Sequence, residues 1–263
     1  MLKRTRSDGL DLLLSYDLKE SSGILVAFTA RLGGASVGRY SSLNLGFDKG
    51  DDDKRVRENR VILARTLGFE VSKLTLGEQV HGDKIVTVDD GLAGSGSTSA
   101  KSAIEDTDAL ITSKEDVPIA VLTADCVPIV IVDPVKRVVA TVHAGWRGTI
   151  KEITPKTVKR MESEFSVSRN DLLVFIGPSI RACSYGVGDE LHASFKESFP
   201  NIIGDEKVLD LPIINIYQLL GAGLKSDNIH DSSICTFCES DHFFSFRKHD
   251  VTGRQGSIAM LGS

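Results

Sequence analysis

The sequence predicts an α+β fold in which mixed β-sheets are covered by outer helices. Apolar runs of strand length alternate along the chain with longer runs whose apolar residues recur at helical spacing. Two consecutive apolar runs, 128–132 and 137–143, are separated by a short turn that contains proline, which is typical of an antiparallel hairpin. Because hairpins bring antiparallel pairs into a sheet, an all-parallel doubly wound sheet fits this pattern less well.

The first elements along the chain are a strand and a long helix. The continuous apolar run 23–31 (GILVAFTAR) predicts a strand, and 53–68 (DKRVRENRVILARTLG) predicts a helix. The helix is expected to end at Gly68, since glycine readily adopts the left-handed cap conformation. The stretch 91–102 (GLAGSGSTSAKS) predicts a loop, because its glycines and serines have little to bury.

Further strands and helices are predicted on both sides of the hairpin. Strands are expected at 84–90, 108–113, 118–124, 172–178, 243–247 and 256–261. Helices are expected at 148–165, near 187–199 and at 212–224. Pro155 lies inside the first of these helices and should kink it or restart it, because proline lacks the backbone N–H of the helical hydrogen bond.

The composition excludes several classes of protein. The chain has 263 residues, 41% hydrophobic and 25% charged, which is the balance of a globular protein. Its net charge of −5 argues against an extended nucleic-acid partner. Asp8 and Asp11 interrupt what would be the apolar centre of a signal peptide, and no run approaches the roughly 18 apolar residues of a membrane span. We therefore expect a cytoplasmic protein without a membrane partner.

The hairpin predicts that Cys126 meets His143. If the turn over 133–136 (DPVK) pairs Asp133 with Lys136, the same register places Cys126 opposite His143. Residues that lie directly opposite on one face have Cβ atoms about 4.5–5.5 Å apart. A thiol and an imidazole are therefore expected together at the open end of the hairpin.

This pair is compatible with three interpretations. The thiolate can act as a nucleophile activated by the imidazole, or both groups can bind a metal such as zinc. The third interpretation is a buried cysteine beside a hydrogen-bonded core histidine. His143 is followed by AGWRG, whose glycines suit a strand-to-helix turn with N–H groups that can receive an anion.

A catalytic zinc usually needs a third protein ligand. His81 is the best candidate, because GEQVHGDK places it where an apolar stretch gives way to a turn, although its spacing alone is a weak argument. His192 and His249 are flanked by charged residues and are expected at the surface.

Six motifs together resemble the signature set of a known family. They are RLGGASVGRYSSLNLG (31–46), QVHG (79–82), TADCVP (123–128), HAGWRG (143–148), IGPSI (176–180) and the C-terminal C-T, FFSFR and TGR series within 235–254. The set resembles the laccase-domain family, also called multicopper polyphenol oxidoreductase or YfiH-type purine nucleoside phosphorylase. The resemblance spans nearly the whole chain. It implies one domain over 1–263, folded as a single-domain four-layer α/β/β/α sandwich with mixed β-sheets.

The resemblance also implies an activity and a cofactor. It implies zinc held by His81, Cys126 and His143, which would also be the catalytic residues, with copper as a second candidate for the same ligands. The implied reaction is phosphorolysis of the purine nucleosides adenosine, inosine, guanosine and S-methyl-5′-thioadenosine, with adenosine deamination at the same site. A zinc with three protein ligands lowers the pKa of bound water to about 7, which suits deamination.

Other side chains are candidates for binding substrate and moving protons. Arg147 is the predicted phosphate ligand, with Arg31 and Arg247 as further candidates, because guanidinium binds phosphate through two parallel hydrogen bonds. Asn44 is predicted to bind ribose or base.

Two carboxylates lie near the predicted ligands in the sequence. Asp125 and Glu78 are the candidate proton carriers, and for Asp125 we favour a role in orienting a metal ligand from behind.

Four cysteines need an explanation, and two of them form Cys235-x-x-Cys238. This pair could be half of a zinc site completed by Cys183 or His242, a redox pair, or two buried thiols, and we favour the last. Cys183 itself lies where the family motif reads C-Y-E-V. The chain has CSYGV at 183–187, which lacks the glutamate, so any role of that glutamate is in doubt.

Three other functions compete with the zinc nucleoside enzyme. A Cys/His-dependent amidase or hydrolase would need no metal. A copper-dependent polyphenol oxidase is disfavoured, because six histidines and three methionines supply too few ligands for several copper centres. A protein that binds nucleosides without turning them over is the fourth hypothesis. The sequence does not determine the oligomeric state.

Overall fold

Two six-stranded sheets lie at the centre of the molecule, in a computed structural model that describes residues 2–47 and 49–263. The strands are β1 (Lys3–Ser7), β2 (Leu10–Leu14), β3 (Ile24–Thr29), β4 (Thr75–Leu76), β5 (Ile85–Thr87), β6 (Ala109–Thr112), β7 (Ile119–Thr123), β8 (Val127–Asp133), β9 (Val138–Ala144), β10 (Leu173–Ile176), β11 (Ile229–Asp231) and β12 (Gln255–Leu261). The α-helices are α1 (Tyr16–Ser22), α2 (Asp53–Leu67), α3 (Trp146–Ile150), α4 (Ile153–Phe165), α5 (Asp189–Ser198), α6 (Leu211–Gly221) and α7 (Phe246–His249).

Both sheets are mixed. The first has the order β1-β2-β3-β12-β7-β4 and the second has the order β11-β10-β8-β9-β6-β5. Each contains mainly antiparallel pairs, and the exceptions are the parallel pairs β4–β7, β5–β6 and β10–β11. The sequence-based prediction of mixed sheets is confirmed.

Side-chain alternation along the strands builds three apolar layers. In β8, Val130 and Val132 face the other sheet, while Ile129 and Ile131 face the helices, as expected for a period of two. The layer between the sheets contains Phe28 and Ala259 from the first sheet beside Leu110 and Val139 from the second. Burial on both faces explains why the central strands are continuous apolar runs in the sequence.

Helices cover the outer face of each sheet. Leu63 and Leu67 of α2 pack on the first sheet. Helices α4, α5 and α6 cover the second sheet through residues such as Met161, Phe195 and Ile214. The predicted four-layer α/β/β/α sandwich is therefore confirmed, and α2 ends at Gly68 in the left-handed conformation, as predicted.

The predicted hairpin forms, but its register is wrong by two residues. Asp133 pairs with Val138 rather than with Lys136, because four residues, 134–137, make the turn. The Asp133 carboxylate accepts the backbone N–H groups of Val135 and Lys136, and this hydrogen bonding fixes the wider turn. His143 consequently pairs with Pro128. A shift of two residues keeps every side chain on its original face, so the expected meeting of thiol and imidazole survives.

Two other local predictions have different outcomes. The helix predicted over 148–165 is interrupted at Glu152, which has a φ of +59°, and Pro155 lies in the first turn of α4, where a missing N–H costs no helical bond. The strand predicted at 243–247 is wrong. Phe243 and Phe244 are fully buried without strand pairing, and α7 begins at Phe246.

Among the residues that the structure describes, no helix is both long enough and apolar enough to cross a bilayer.

Candidate metal centre and cavity

One buried carboxylate holds the turn that carries His81. Asp108 lies directly before β6 and is fully buried. Its Oδ2 accepts the backbone N–H groups of Val80 (3.2 Å) and Gly82 (2.7 Å), and its Oδ1 accepts that of His81 (3.0 Å). His81 has a φ of +61°, a left-handed conformation that costs energy and therefore needs such support.

The same carboxylate orients His143. This histidine lies near the end of β9, and its Nδ1 is 2.7 Å from Asp108 Oδ1. A carboxylate on Nδ1 favours the tautomer that carries the proton there, which leaves Nε2 free to bind a metal. The rings of His81 and His143 meet edge to face with their centroids 4.8 Å apart. Asp108 thus positions both imidazoles, and the sequence analysis did not identify it.

Cys126 completes the cluster. The ligand atoms of His81, Cys126 and His143 all lie within 4.8 Å of one another. Gly145 closes the space behind them, because a Cβ at that position would lie 3.0 Å from His81 Cδ2 and 3.2 Å from Cys126 Sγ. The structure therefore brings together the three residues that the sequence analysis named.

Mutual electrostatics favour the thiolate of Cys126 and the protonated ring of His143, whose Nε2 proton a metal ion would displace. Burial raises the pKa of the Cys126 thiol, but His143 and His81 outweigh it and lower that pKa to about 6. Burial likewise lowers the pKa of His143, but Cys126 and Asp108 outweigh it and raise that pKa to about 9. The thiolate form is the one that binds metals, and it is already favoured at neutral pH.

The donor set fits a soft to borderline cation. Two imidazoles and one thiolate suit zinc or copper better than magnesium or calcium, which prefer oxygen ligands. Three protein ligands leave a fourth tetrahedral position for a substrate atom.

The cluster opens into a cavity of about 920 Å³, a volume within the range of small-molecule sites. Aromatic side chains lie around it, namely Phe47, Trp146, Tyr185 and Phe246. The cavity can therefore receive a planar apolar group beside the metal ligands.

Three arginines give the cavity wall a positive character. Arg60 is buried and donates to the carbonyl oxygens of Leu45, Gly96 and Ser97, and burial lowers its pKa to about 9. Arg60 uses its N–H groups to hold these backbone carbonyl oxygens. Arg247 and Arg254 also line the cavity. Within residues 2–47 and 49–263 neither Arg247 nor Arg254 forms an ion pair with a carboxylate, so their charge is available to an anion.

The predicted substrate residues lie elsewhere. Asn44 is fully buried, and its side-chain amide exchanges hydrogen bonds with the backbone of Gly46 while its Oδ1 also accepts the N–H of Arg254 (2.8 Å). Arg147 is exposed and lies over the ring of Trp146, outside the cavity lining. Asn44 is therefore placed to support Arg254.

Of the other two predicted arginines, Arg31 has a structural role and Arg247 lines the cavity. Arg31 donates to the carbonyl oxygens of Ser41 and Ser240 and stacks on Phe244, so it holds the N-terminal motif in place. Arg247 alone among the three predicted arginines lines the cavity. Arg60 and Arg254 were missed. The position of Arg254, directly before an apolar strand, is the sequence feature that could have identified it.

The favoured role of Asp125 is wrong. Its Oδ1 accepts the hydroxyl of Thr236 and its Oδ2 accepts the backbone N–H of Arg247, both at 2.6 Å. Asp108 orients His143 in its place. The Glu78 side chain lines the cavity and makes no hydrogen bond or ion pair within the described residues.

The surface prediction is wrong for His192 and right for His249. His192 is buried in α5, and its Nε2 lies 3.1 Å from the carbonyl oxygen of Gly204. His249 is exposed.

Comparison with known proteins identifies relatives of this chain. A sequence model of the family described as multi-copper polyphenol oxidoreductase laccase matches residues 25–262. A purine nucleoside phosphorylase of Bacteroides thetaiotaomicron is 34% identical over 95% of this chain and 96% of its own length. The purine nucleoside phosphorylase YlmD of Geobacillus stearothermophilus is 36% identical over 92% of this chain and 90% of its own. Adenosine deaminase RL5, from an unknown prokaryotic organism, is 35% identical over 80% of this chain and 82% of its own.

Solved structures agree with the fold. The crystal structure of YlmD from Geobacillus stearothermophilus superposes with a TM-score of 0.91 and 33% identity, covering 99% of this chain and 98% of its own. The YfiH protein of Bacillus licheniformis superposes with a TM-score of 0.90 and 30% identity, covering 97% of each chain.

Proposed function

Because this chain belongs to the multi-copper polyphenol oxidoreductase laccase family, we propose that it is a zinc-dependent purine nucleoside phosphorylase that also deaminates adenosine. The proposed substrates are adenosine, inosine, guanosine and S-methyl-5′-thioadenosine, each with phosphate. The observation that carries the proposal is the His81, Cys126 and His143 cluster at the end of a cavity whose arginines have no carboxylate partner among the described residues. We further propose that residues 1–263 act as one catalytic domain.

His81, Cys126 and His143 are the proposed metal ligands and act at the reacting end of the cavity. A zinc ion held there would supply Lewis acidity. Asp108 keeps the His143 ring in one orientation and fixes the turn that carries His81, so that the ligands need little rearrangement when substrate binds.

Arg254 and Arg247 are the proposed phosphate ligands. The pKa of Arg254 is lowered mainly by burial, while Cys126 and Asp125 raise it, which places its guanidinium within electrostatic reach of the metal ligands. Phosphate bound there is held near the nucleoside. In phosphorolysis a phosphate oxygen forms a bond to C1′ of the ribose while the C1′–N9 bond breaks, and the bonding electron pair leaves with the purine.

The aromatic side chains and Glu78 complete the proposed site. Tyr185 and Phe246 offer faces on which a purine can stack. The departing purine needs a proton, and the Glu78 carboxyl group is the candidate donor. In deamination the same group would move a proton from the attacking water to the leaving ammonia.

A Cys/His hydrolase is the second candidate, and one observation favours it. Without a metal, the pKa of about 6 for Cys126 beside the pKa of about 9 for His143 describes an ion pair that resembles an activated nucleophile. His81 has no necessary role in that mechanism, whereas it is a ligand in the first.

One experiment separates these functions. The purified protein is incubated with adenosine or inosine, with and without phosphate, and products are identified by chromatography alongside metal analysis. Free base and ribose 1-phosphate that form only with phosphate support phosphorolysis, and inosine from adenosine supports deamination. Hydrolytic activity that persists after complete removal of zinc would refute the metal-dependent proposal.

The proposal also covers copper binding and the location of the protein in the cell. Copper that binds the same ligands without polyphenol turnover would agree with the zinc enzyme. The cytoplasmic location expected from the sequence stays a prediction.

A further inference from the structure

Three cysteines converge outside the cavity. Cys183 lies in the loop after β10, whereas Cys235 and Cys238 lie in the segment after β11. Their sulfur atoms all lie within 4.8 Å of one another, and Cys183 Sγ is 3.6 Å from Cys238 Sγ. The fold therefore joins the CxxC pair to a cysteine more than 50 residues away, one of the two partners that the sequence analysis considered for it.

The sulfur separation suits a metal better than a disulfide. A zinc–thiolate bond of about 2.3 Å in a tetrahedral site places neighbouring sulfurs about 3.8 Å apart. A disulfide needs about 2.05 Å between its sulfurs. The 3.6 Å between Cys183 and Cys238 is close to the first value, so a metal could bind without a large movement of either loop.

Hydrogen bonds around Cys235 support the same arrangement. The backbone N–H groups of Cys238 and Arg181 are directed at its sulfur. A donor from the third residue after a cysteine is the hydrogen bond expected where a CxxC turn holds a metal. The N–H of Glu239 in addition donates to the Cys235 carbonyl oxygen, which closes the turn over 235–239.

An oxygen lies where a fourth ligand would be expected. Ser184 Oγ is 3.6 Å from Cys183 Sγ, 3.3 Å from Cys238 Sγ and 3.8 Å from Cys235 Sγ. These near-equal distances correspond to one corner of a tetrahedron whose other corners are the three sulfurs.

We propose that Cys183, Cys235 and Cys238 bind a second zinc ion, with an oxygen donor, either the Ser184 hydroxyl or water, in the fourth position. The site joins the loop after β10, which contributes Ile180 and Tyr185 to the cavity lining, to the segment after β11. Tyr185 follows Cys183 closely and lines the cavity. Thr236 lies within the CxxC turn and donates its hydroxyl to Asp125, the neighbour of Cys126. The second zinc is therefore structural, and it stabilises the wall next to the first metal centre.

Metal stoichiometry tests this proposal independently of activity. The full-length protein is loaded with zinc under reducing conditions, desalted, and measured by mass spectrometry of the metal and by native mass spectrometry. We expect two zinc ions per chain in the natural sequence. The double variant Cys183→Ser, Cys238→Ser should lose one zinc, and both residues are exposed, so the apolar core is not disturbed.

The matched control is Cys126→Ser, which removes the one thiolate of the first centre. When cobalt(II) replaces the remaining zinc of this variant, a thiolate-to-cobalt absorption band should appear. That band should be absent when Cys183→Ser and Cys238→Ser are added. Zinc bound at one equivalent in both the natural sequence and the Cys183/Cys238 variant would overturn the proposal. A Cys183–Cys238 disulfide in the protein as purified, identified by a mass lower by two hydrogens, would also overturn the proposal. Failure of the proposed enzymatic function would appear as absent turnover instead, so the two failures are distinguishable.

Discussion

The two cysteine-containing clusters differ in the parts of the fold that position them. Cys126 and His143 lie at the ends of buried strands, His81 lies on the turn over 79–82, and the buried carboxylate of Asp108 holds both that turn and the His143 ring. The Cys183, Cys235 and Cys238 cluster lies between surface loops and has two exposed sulfurs. Catalytic zinc sites keep one position open, whereas structural sites close all four positions with ligands. The first cluster faces a cavity and the second has Ser184 at its fourth corner, which agrees with the catalytic role proposed for the first and the structural role proposed for the second.

The largest expected effect is on the first cluster. His81→Ala should remove one metal ligand. We expect kcat/KM for inosine phosphorolysis to fall by about 10²–10⁴-fold and the protein to lose one zinc ion per chain. Activity is measured by release of hypoxanthine, and metal by mass spectrometry. His249→Ala, an exposed histidine outside the cavity lining, is the control and should change neither quantity. Full activity of the His81 variant without zinc would favour the Cys/His hydrolase.

A smaller loss is expected when the support behind the ligands is weakened. Asp108→Asn keeps the size of the side chain but removes the charge that holds His143 and the turn over 79–82. Loss of a carboxylate behind a ligand typically reduces activity or metal affinity by about 10–100-fold. Zinc affinity is measured by competition with a chelating dye.

Asp83→Asn provides the control for that change. Asp83 is near the same turn but forms exposed ion pairs with Lys151 and Lys156, which contribute little. Equal effects of the two substitutions would contradict the role assigned to Asp108.

Removing a cavity arginine should weaken phosphate binding. Arg254→Gln loses charge-assisted hydrogen bonds worth about 1.5–3 kcal/mol, so the kcat/KM for phosphate should fall roughly 10–100-fold. Steady-state rates over a range of phosphate concentrations measure this effect.

Arg147→Gln is the matched variant for the phosphate prediction. The sequence analysis favoured Arg147, but its side chain is exposed over Trp146. We expect phosphate kinetics to be unchanged in this variant. The opposite result, with a large effect at Arg147 and none at Arg254, would return the phosphate site to the start of α3.

The smallest effect distinguishes the thiols of the two clusters in metal-free protein. The pKa of Cys126 is lowered to about 6, so its thiolate persists above that pH and is lost as the pH falls through 6. The Ser184 hydroxyl lowers the pKa of Cys183, but burial and the neighbouring thiols of Cys235 and Cys238 outweigh it and raise that pKa. A larger thiolate fraction is partly offset by lower intrinsic nucleophilicity, so Cys126 should be alkylated roughly fivefold faster than Cys183 at pH 7.

Peptide mapping after brief treatment with iodoacetamide measures both rates in one sample. The rate at Cys126 should decline on acidification from pH 7 to pH 5, whereas the rate at Cys183 should still be rising above pH 8. Faster alkylation of Cys183 at pH 7 would contradict the electrostatic pairing of Cys126 with the histidines.

The sequence predicted the parts of the site that depend on nearby residues. A strand followed by a turn and a second strand was enough to bring Cys126 and His143 to the same face, even though the turn was longer than expected. His81 came from the family resemblance, because its distance along the chain from Cys126 gives no measure of their separation in space. The 243–247 run has the apolar pattern of a strand, but its phenylalanines Phe243 and Phe244 are buried without strand pairing.

The sequence by itself determined the alternation of apolar faces, the mixed sheets with outer helices and the identity of the residues able to bind a metal. These features depend on local periodicity and on side-chain chemistry. Only the tertiary structure decided that Asp108 holds both histidines, that Asn44 is buried behind Arg254, and that Cys183 meets the CxxC pair. The physical reason is that each of these contacts joins segments remote in sequence, and the packing of the two sheets and their loops sets such distances.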